Sequence, residues 1–266
     1  MGNDRTAMTN AESIRLAADM IRDARSIVVL TGAGVSAESG LATFRDPEEG
    51  HWAKYDPMEL ATLDAFNKDP ELVTRWYHWR FTRARDVQPN PGHLALGSLQ
   101  QHKEQHGESL TLITQNVDGL HQRGGANNVV ELHGTIHTWR CNETGKQRQL
   151  SELSFERFPI PSEHGGLMRP CIVWFGEILP EDALARSFEA MDACDLFLSI
   201  GTSGTVEPAA SFILGAQSNG AKTIEINRDP TPNTGIVDLA LQGASGQILP
   251  AILTQLGIPN AGPQTP

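Results

Sequence analysis

The sequence predicts an α/β fold, a doubly wound parallel sheet carrying a smaller inserted helical lobe and a second small lobe. Short, continuous apolar runs recur at Ser26–Thr31, Leu110–Thr114, Leu196–Ile200 and Thr223–Ile226, the pattern of strands covered on both faces. Each run is followed by polar or glycine-containing residues, and the helix-like stretches between them imply right-handed crossovers. A length of 266 residues suits one large domain with an insertion, and so one active site.

From the start of the chain, residues 11–24 place Ile14, Ala17, Ala18 and Ile21 at helical spacing, just ahead of the first strand, SIVVLT. Between Pro47 and Pro91 the pattern turns helical and aromatic (Trp52, Phe66, Trp76, Tyr77, Trp79, Phe81), which predicts a helical lobe over 47–86. A second excursion, from about Trp139 to Pro170, has little periodicity and many polar residues, and marks a small lobe over 139–170. The Rossmann-like core is then assembled from 10–46, 87–138 and 171–258. The final AGPQTP offers little to bury and reads as a frayed end. No internal repeat is visible.

Composition narrows the function. There is no run of about 18 apolar residues, and MGNDRTAMTNAES lacks the basic and apolar regions of a secretory signal; a soluble, cytoplasmic protein with no membrane partner is expected. The formal charge of −11 disfavours nucleic acid, whose phosphates need clustered Lys and Arg, and makes basic peptides easier partners. Cys141, Cys171 and Cys194 are scattered and form no CxxC pair, so reduced thiols are expected rather than a disulfide framework.

The first strand runs into Thr31-Gly-Ala-Gly-Val-Ser-Ala-Glu-Ser-Gly40. Glycines here let backbone approach a pyrophosphate, and the next helix supplies N-terminal N–H groups. The third glycine of GxGxxG is missing, and an ordinary strand-to-helix turn accounts for this block equally well. Asn116 and Asp118 follow the end of a predicted strand, where open α/β sheets place ligands, and offer an amide and a carboxylate to a ribose or a carboxamide; an Asx-rich turn has the same composition. His133 can accept a proton near neutral pH, although a single histidine is more often structural.

The blocks taken together resemble sirtuins. The resemblance runs through Gly40-Leu-Ala-Thr-Phe-Arg-Asp46, Thr114-Gln-Asn-Val-Asp-Gly-Leu-His121, Glu131-Leu-His-Gly134, Arg169-Pro-Cys-Ile-Val-Trp-Phe-Gly-Glu177, Gly201-Thr-Ser203 and Glu225-Ile-Asn227, in that family's order and across nearly the whole chain. It implies an NAD-consuming protein lysine deacylase, in which the acyl-lysine carbonyl oxygen attacks the ribose carbon, nicotinamide leaves, and free lysine and O-acyl-ADP-ribose follow. It makes His133 the base and gives Asn116 a catalytic part. It gives NAD contacts to Gly32, Ala33, Gly34, Ala37, Phe44, Arg45, Gln115, Asn116, Asp118, Gly201, Thr202, Ser203, Asn227 and Ala244, with the Phe44 ring shielding the reacting carbon and the Arg45 guanidinium pairing with anionic groups. The segments Val173–Glu177 and Gly204–Pro208 become the two edges between which an acyl-lysine protein or peptide adds as a strand, with Val173, Phe175, Gly176, Glu177 and Val206 in contact. Glu207 stands where an aromatic is frequent and favours positive residues beside the target lysine.

Ala61 with Tyr77-His-Trp-Arg80 resembles the pocket of the sirtuin branch that removes succinyl and malonyl groups. The small Ala61 leaves room, and Tyr77 and Arg80, three apart on one helix, share a face on which to bind a carboxylate; surface packing is the plainer account of such a pair.

The chain departs from the family in the small lobe. Most sirtuins hold zinc there through two CxxC pairs; the corresponding positions are Cys141, Thr144, Pro161 and His164, a zinc-ribbon-like lobe lacking its metal ligands. Thr and Pro cannot replace thiolates in a tetrahedral site, so no zinc is expected, with a rescued site from Cys141, His164 and His137 as the alternative. Two other functions start from the same loss of nicotinamide or from NAD binding alone: ADP-ribosyl transfer or NAD hydrolysis, and non-catalytic NAD sensing.

Overall fold

The computed structural model describes residues 10–43 and 50–260. Along the chain the strands are β1 (Ser26–Thr31), β2 (Ser109–Thr114), β3 (Val129–Glu131), β4 (Gly134–Cys141), β5 (Gln147–Gln149), β6 (Met168–Ile172), β7 (Leu196–Ile200), β8 (Lys222–Asn227) and β9 (Leu239–Gln242). Among the described residues they form a six-stranded sheet, in the order β3-β2-β1-β7-β8-β9, and a three-stranded sheet, β5-β4-β6. All pairs of the large sheet are parallel and those of the small one antiparallel. The expected doubly wound α/β architecture is therefore present.

The apolar runs form the sheet because alternate residues feed two separate cores. Ile27, Val29, Leu110, Leu112, Leu196, Leu198, Ile224 and Ile226 face one side, where they meet the helices Asn10–Asp23, Pro91–Gln105 and Ser245–Leu256. Val28, Leu30, Ile113 and Phe197 face the other, under Glu181–Ala193 and Phe212–Ser218. Each such side chain contributes about 1.5–3 kcal/mol on full burial. The chain fills one half of the sheet outward from β1 and the other outward from β7, so the strand order reverses between them. Thr31 lies level with both Thr114 and Ile200, and the loops after β1, β2 and β7 leave the same edge, at the switch point where this architecture binds ligands.

The helical excursion contains Pro57–Leu60, Leu63–Lys68 and Pro70–Asp86. The Asp69 side chain accepts from Leu72 N at 2.9 Å to start the last of these, with Pro70 at its first position. Trp76, Tyr77 and Phe66 of this lobe share one buried cluster with Trp139, Ile136, Ile160, Met168 and Trp174, so the two excursions pack on each other around a common aromatic core. By its pairing the small sheet takes in Gly134 to Thr138 and Cys171 to Ile172 as well as residues within 139–170. No helix among the described residues is long and apolar enough to cross a membrane.

Candidate active site

Two glycine loops meet at the switch point. Gly32 N donates to Ile200 O at 3.2 Å and Gly34 N to Gly201 O at 2.9 Å. A Cβ on Gly34 would lie 2.7 Å from Gly201 O, and one on Gly32 would lie 2.9 Å from the same oxygen. These positions must be glycine because two backbones pack on each other, a reason the spacing alone did not reveal. Ala33 and Ala37 bound the short helix Ala33–Ala37. Across the loop, Thr202 is buried and exchanges a hydrogen bond with Ser199 (Oγ···Oγ1, 3.1 Å), and Ser203 does so with Thr205. Gln115, Thr202, Gly204 and Val206 line one crevice.

Beyond β2 the polar side chains are ordered by one buried network. Thr31 Oγ1 donates to Thr114 Oγ1 at 2.8 Å, which accepts Asn116 N at 3.1 Å. Asn116 Nδ2 donates to Gly32 O and to Ser36 Oγ, each at 3.1 Å. Ser36 Oγ donates to Asp118 Oδ2 at 2.8 Å, while Asp118 Oδ1 accepts Leu120 N at 2.9 Å. His93, fully buried, places Nε2 3.4 Å from Ser36 Oγ and accepts Asn90 N on Nδ1; burial pushes it down to about 4, so it is neutral at pH 7. Ser36 and His93 are absent from the sequence-derived set. Ser36 sits inside a matched block and His93 three residues after the cap Asn90, but the contact joining positions 57 apart leaves no local signature.

His133 is aimed by backbone. A carbonyl can only accept, so the 3.2 Å contact from His133 Nδ1 to Gln115 O fixes the proton on Nδ1 and leaves the Nε2 lone pair free. Burial lowers its pKa below the ordinary value, with the Gln115 carbonyl opposing. His133 O accepts Val173 N at 2.9 Å, and Ala61 O accepts Phe175 N at 2.9 Å, so residues 173–175 join His133 to the helical lobe. Phe175 and Val206 are 43% and 38% exposed, as a surface open to a partner requires. Gly176 has φ +85°. The Glu177 carboxylate is engaged within the fold: it accepts from Arg169 Nη1 and Nη2 at 2.6 and 2.8 Å and from Trp174 N at 2.9 Å.

Ala61 and Tyr77 are buried. Burial drives the Tyr77 phenol pKa well up, with the Arg80 charge the leading opposing influence, and the Arg80 guanidinium lies 5.0 Å from the Trp76 ring centroid; Tyr77 and Arg80 do share a neighbourhood. Asn227 Nδ2 donates to Asp229 O at 2.8 Å. Ala244 opens the helix Ser245–Leu256, whose first turn is tied to the glycine loop by Glu38, which accepts Gly246 N at 2.8 Å. Phe44 and Arg45 lie outside the described residues.

Of the four zinc positions, Cys141 points its thiol at Gly165 O, 3.1 Å away. His137 Nε2 is 3.0 Å from Asp118 O. Among the described residues no group of three or more His, Cys, Asp or Glu is arranged to hold a metal ion.

A parallel sheet with glycine loops at its switch point, beside a histidine with its Nε2 lone pair free and a buried Asn/Ser/Asp network, defines a Rossmann-type enzyme site. Residues 32–208 match the Sir2 family, and the chain belongs to that family. It is 46% identical to NAD-dependent protein deacylase 2 of Pyrobaculum aerophilum over 90% of this chain and 94% of that protein. The crystal structure of a Sir2 homologue–NAD complex is similar with a TM-score of 0.84 and 41% identity, covering 91% of this chain and 93% of the other. A Sir2 structure with a p53 peptide and NAD+ has a TM-score of 0.81 at 29% identity, over 92% of this chain and 98% of the other.

Proposed function

We propose that this chain is an NAD-dependent protein lysine deacylase whose acyl pocket accepts acidic groups such as succinyl and malonyl as well as acetyl. The observation that carries it is His133, its Nε2 lone pair left free by the Nδ1–Gln115 contact and its backbone bonded to the segment that would receive a peptide. The residues present fit NAD: the backbones of 32–34 and 201–203 meet at the switch point, and Gln115, Asn116 and Asp118 stand beside them, with Asn227 and Ala244 along the same edge. When bound, NAD supplies an electrophilic ribose carbon that releases nicotinamide.

His133 takes the proton of a ribose hydroxyl on Nε2, and Gln115 O, by accepting the Nδ1–H, steadies the imidazolium that results. Asn116 and Asp118 orient ribose and carboxamide with little reorganisation, because Ser36 already holds both. An acyl-lysine peptide adds its backbone between 173–177 and 204–208, and contacts made by main chain tolerate varied sequences. Ala61 leaves room for a longer acyl chain, and Tyr77 with Arg80 binds its carboxylate. The small lobe carries no zinc, since only Cys141 and His164 of its four positions are able to ligate. The 47–86 and 139–170 lobes serve acyl and peptide recognition, and 10–46, 87–138 and 171–258 serve NAD. Three free thiols suit a reducing cytoplasm; no nucleic acid or membrane partner is invoked.

The test is NAD-dependent turnover of acetyl-, malonyl- and succinyl-lysine peptides side by side, with the products identified. Nicotinamide and O-acyl-ADP-ribose in equal amounts support the proposal; ADP-ribosylated protein or free ADP-ribose without deacylation overturns it.

A further inference from the structure

Among the described residues the aromatic core between the two lobes leaves three ring donors buried with no hydrogen-bond partner: Trp76 Nε1, Tyr77 Oη and Trp174 Nε1. The rings touch. Trp76 and Tyr77 meet edge-on with centroids 4.6 Å apart, and Tyr77 stacks on Trp174 at 6.0 Å and 22°. Orphaned buried donors are rare because they forfeit water without replacement. The same core satisfies a buried indole where the role is packing: Trp139 Nε1 donates to Ile136 O at 3.2 Å.

The orphaned groups are donors, which is the complement of an anionic oxygen. An indole N–H can only donate, and a phenol kept protonated by burial offers its O–H. The Trp174 N–H stands near enough to the Tyr77 oxygen to favour charge on it, yet no hydrogen bond closes between them. The neighbouring charge is positive, with Arg80 over Trp76 at 5.0 Å. Arg169, 3.3 Å from the Trp174 ring centroid, is neutralised through both terminal nitrogens by Glu177. Trp174 itself is held from several sides: its backbone N–H donates to Glu177, the backbone amides of Val173 and Phe175 bond to His133 O and Ala61 O, and Phe66 packs on its ring at 5.4 Å.

We infer that Trp174 is a further specificity-determining residue of the acyl pocket, its indole N–H joining the Tyr77 hydroxyl as a donor to the carboxylate of an acidic acyl group. This rests on the acidic-acyl reading above and extends it from the helix Pro70–Asp86 to the peptide-binding segment. An acetyl methyl offers no acceptor and leaves both donors unmet; a succinyl carboxylate has lone pairs for both and charge for Arg80.

Trp174→Phe keeps the ring stack and removes only the N–H. It should lower kcat/KM for a succinyl-lysine peptide about tenfold or more relative to that for an acetyl-lysine peptide on the same preparation, the scale of a hydrogen bond to a charged group. Equal loss on both peptides, or unchanged desuccinylation, overturns the inference. Should the variant not fold, the wild-type indole N–H resonance of Trp174 serves instead: it should move downfield on adding succinyl-lysine peptide and stay with acetyl-lysine peptide, and a resonance indifferent to both overturns the inference. Wild-type protein that removes neither group fails the deacylase reading itself, and wild-type protein active on acetyl alone overturns the acidic pocket together with the role given to Trp174.

Discussion

His133 and Arg80 carry the sharpest consequences among single residues. His133→Ala removes the proton acceptor while leaving the Asn116–Ser36–Asp118 network in place, so deacylation should fall about 10²–10⁴-fold with NAD binding by calorimetry nearly unchanged; near-normal turnover would remove His133 from the chemistry. Only the unprotonated base works, and burial lowers its pKa. The acid limb of kcat/KM should therefore lie below about 6.5, the ordinary histidine value, with activity lost as pH falls through it; a limb above that value contradicts the assignment. Arg80→Met should reduce desuccinylation roughly 10–100-fold, the worth of a charge-assisted hydrogen bond, and spare deacetylation, whereas equal loss of both would make Arg80 structural. His133, Asn116 and Asp118 could be singled out in the sequence because each sits in a compact block. Ser36, His93 and Trp174 were not read for their roles, because what singles them out is a contact or an unmet donor between segments far apart in the chain.

Among the elements, those buried on both faces were the legible ones. Leu196–Ile200 has the predicted bounds, and Leu110–Thr114 extends by one residue to Ser109. The strands β3 and β9 escaped notice because edge strands are short or only half-buried: Val129–Glu131 has three residues, and Leu239–Gln242 alternates buried with exposed. The small antiparallel sheet escaped for a different reason, since its strand Gln147–Gln149 is polar throughout and is fixed by pairing with β4 rather than by burial. The glycine loop was found, with a ligand and an ordinary strand-to-helix turn as equal accounts of it, but not the close approach of Gly201, by which the fold itself needs glycine at 32 and 34. Gly34→Ala should accordingly lower stability by about 1–3 kcal/mol, as overpacking does, with a lower Tm even when no NAD is present. An unchanged Tm combined with a raised KM for NAD would return the glycine to the cofactor alone.

On the scale of the whole molecule, two excursions that read as separate insertions share a single aromatic core, which sequence periodicity could not reveal because its members come from segments about Trp52 to Trp79 and Ile136 to Trp174. That core holds the small lobe by packing, aided by Arg148 Nη1 to Glu163 Oε1 at 2.6 Å and by Asn142 Oδ1 accepting Leu167 N at 2.7 Å. Purified protein should contain well under one zinc per chain by elemental analysis, and EDTA should leave its Tm in place; stoichiometric zinc whose removal unfolds the lobe would refute this. The segment Val173 to Phe175 has one further consequence for motion. Its first amide is fastened to His133 and its last to Ala61, so the cleft cannot breathe without unzipping both. Deuterium should then enter the Val173 and Phe175 amides at one shared rate, faster than at Val29 in the middle of the sheet. Two unrelated rates would mean that base and acyl pocket open independently, and that the chain has two doors where a single latch is drawn.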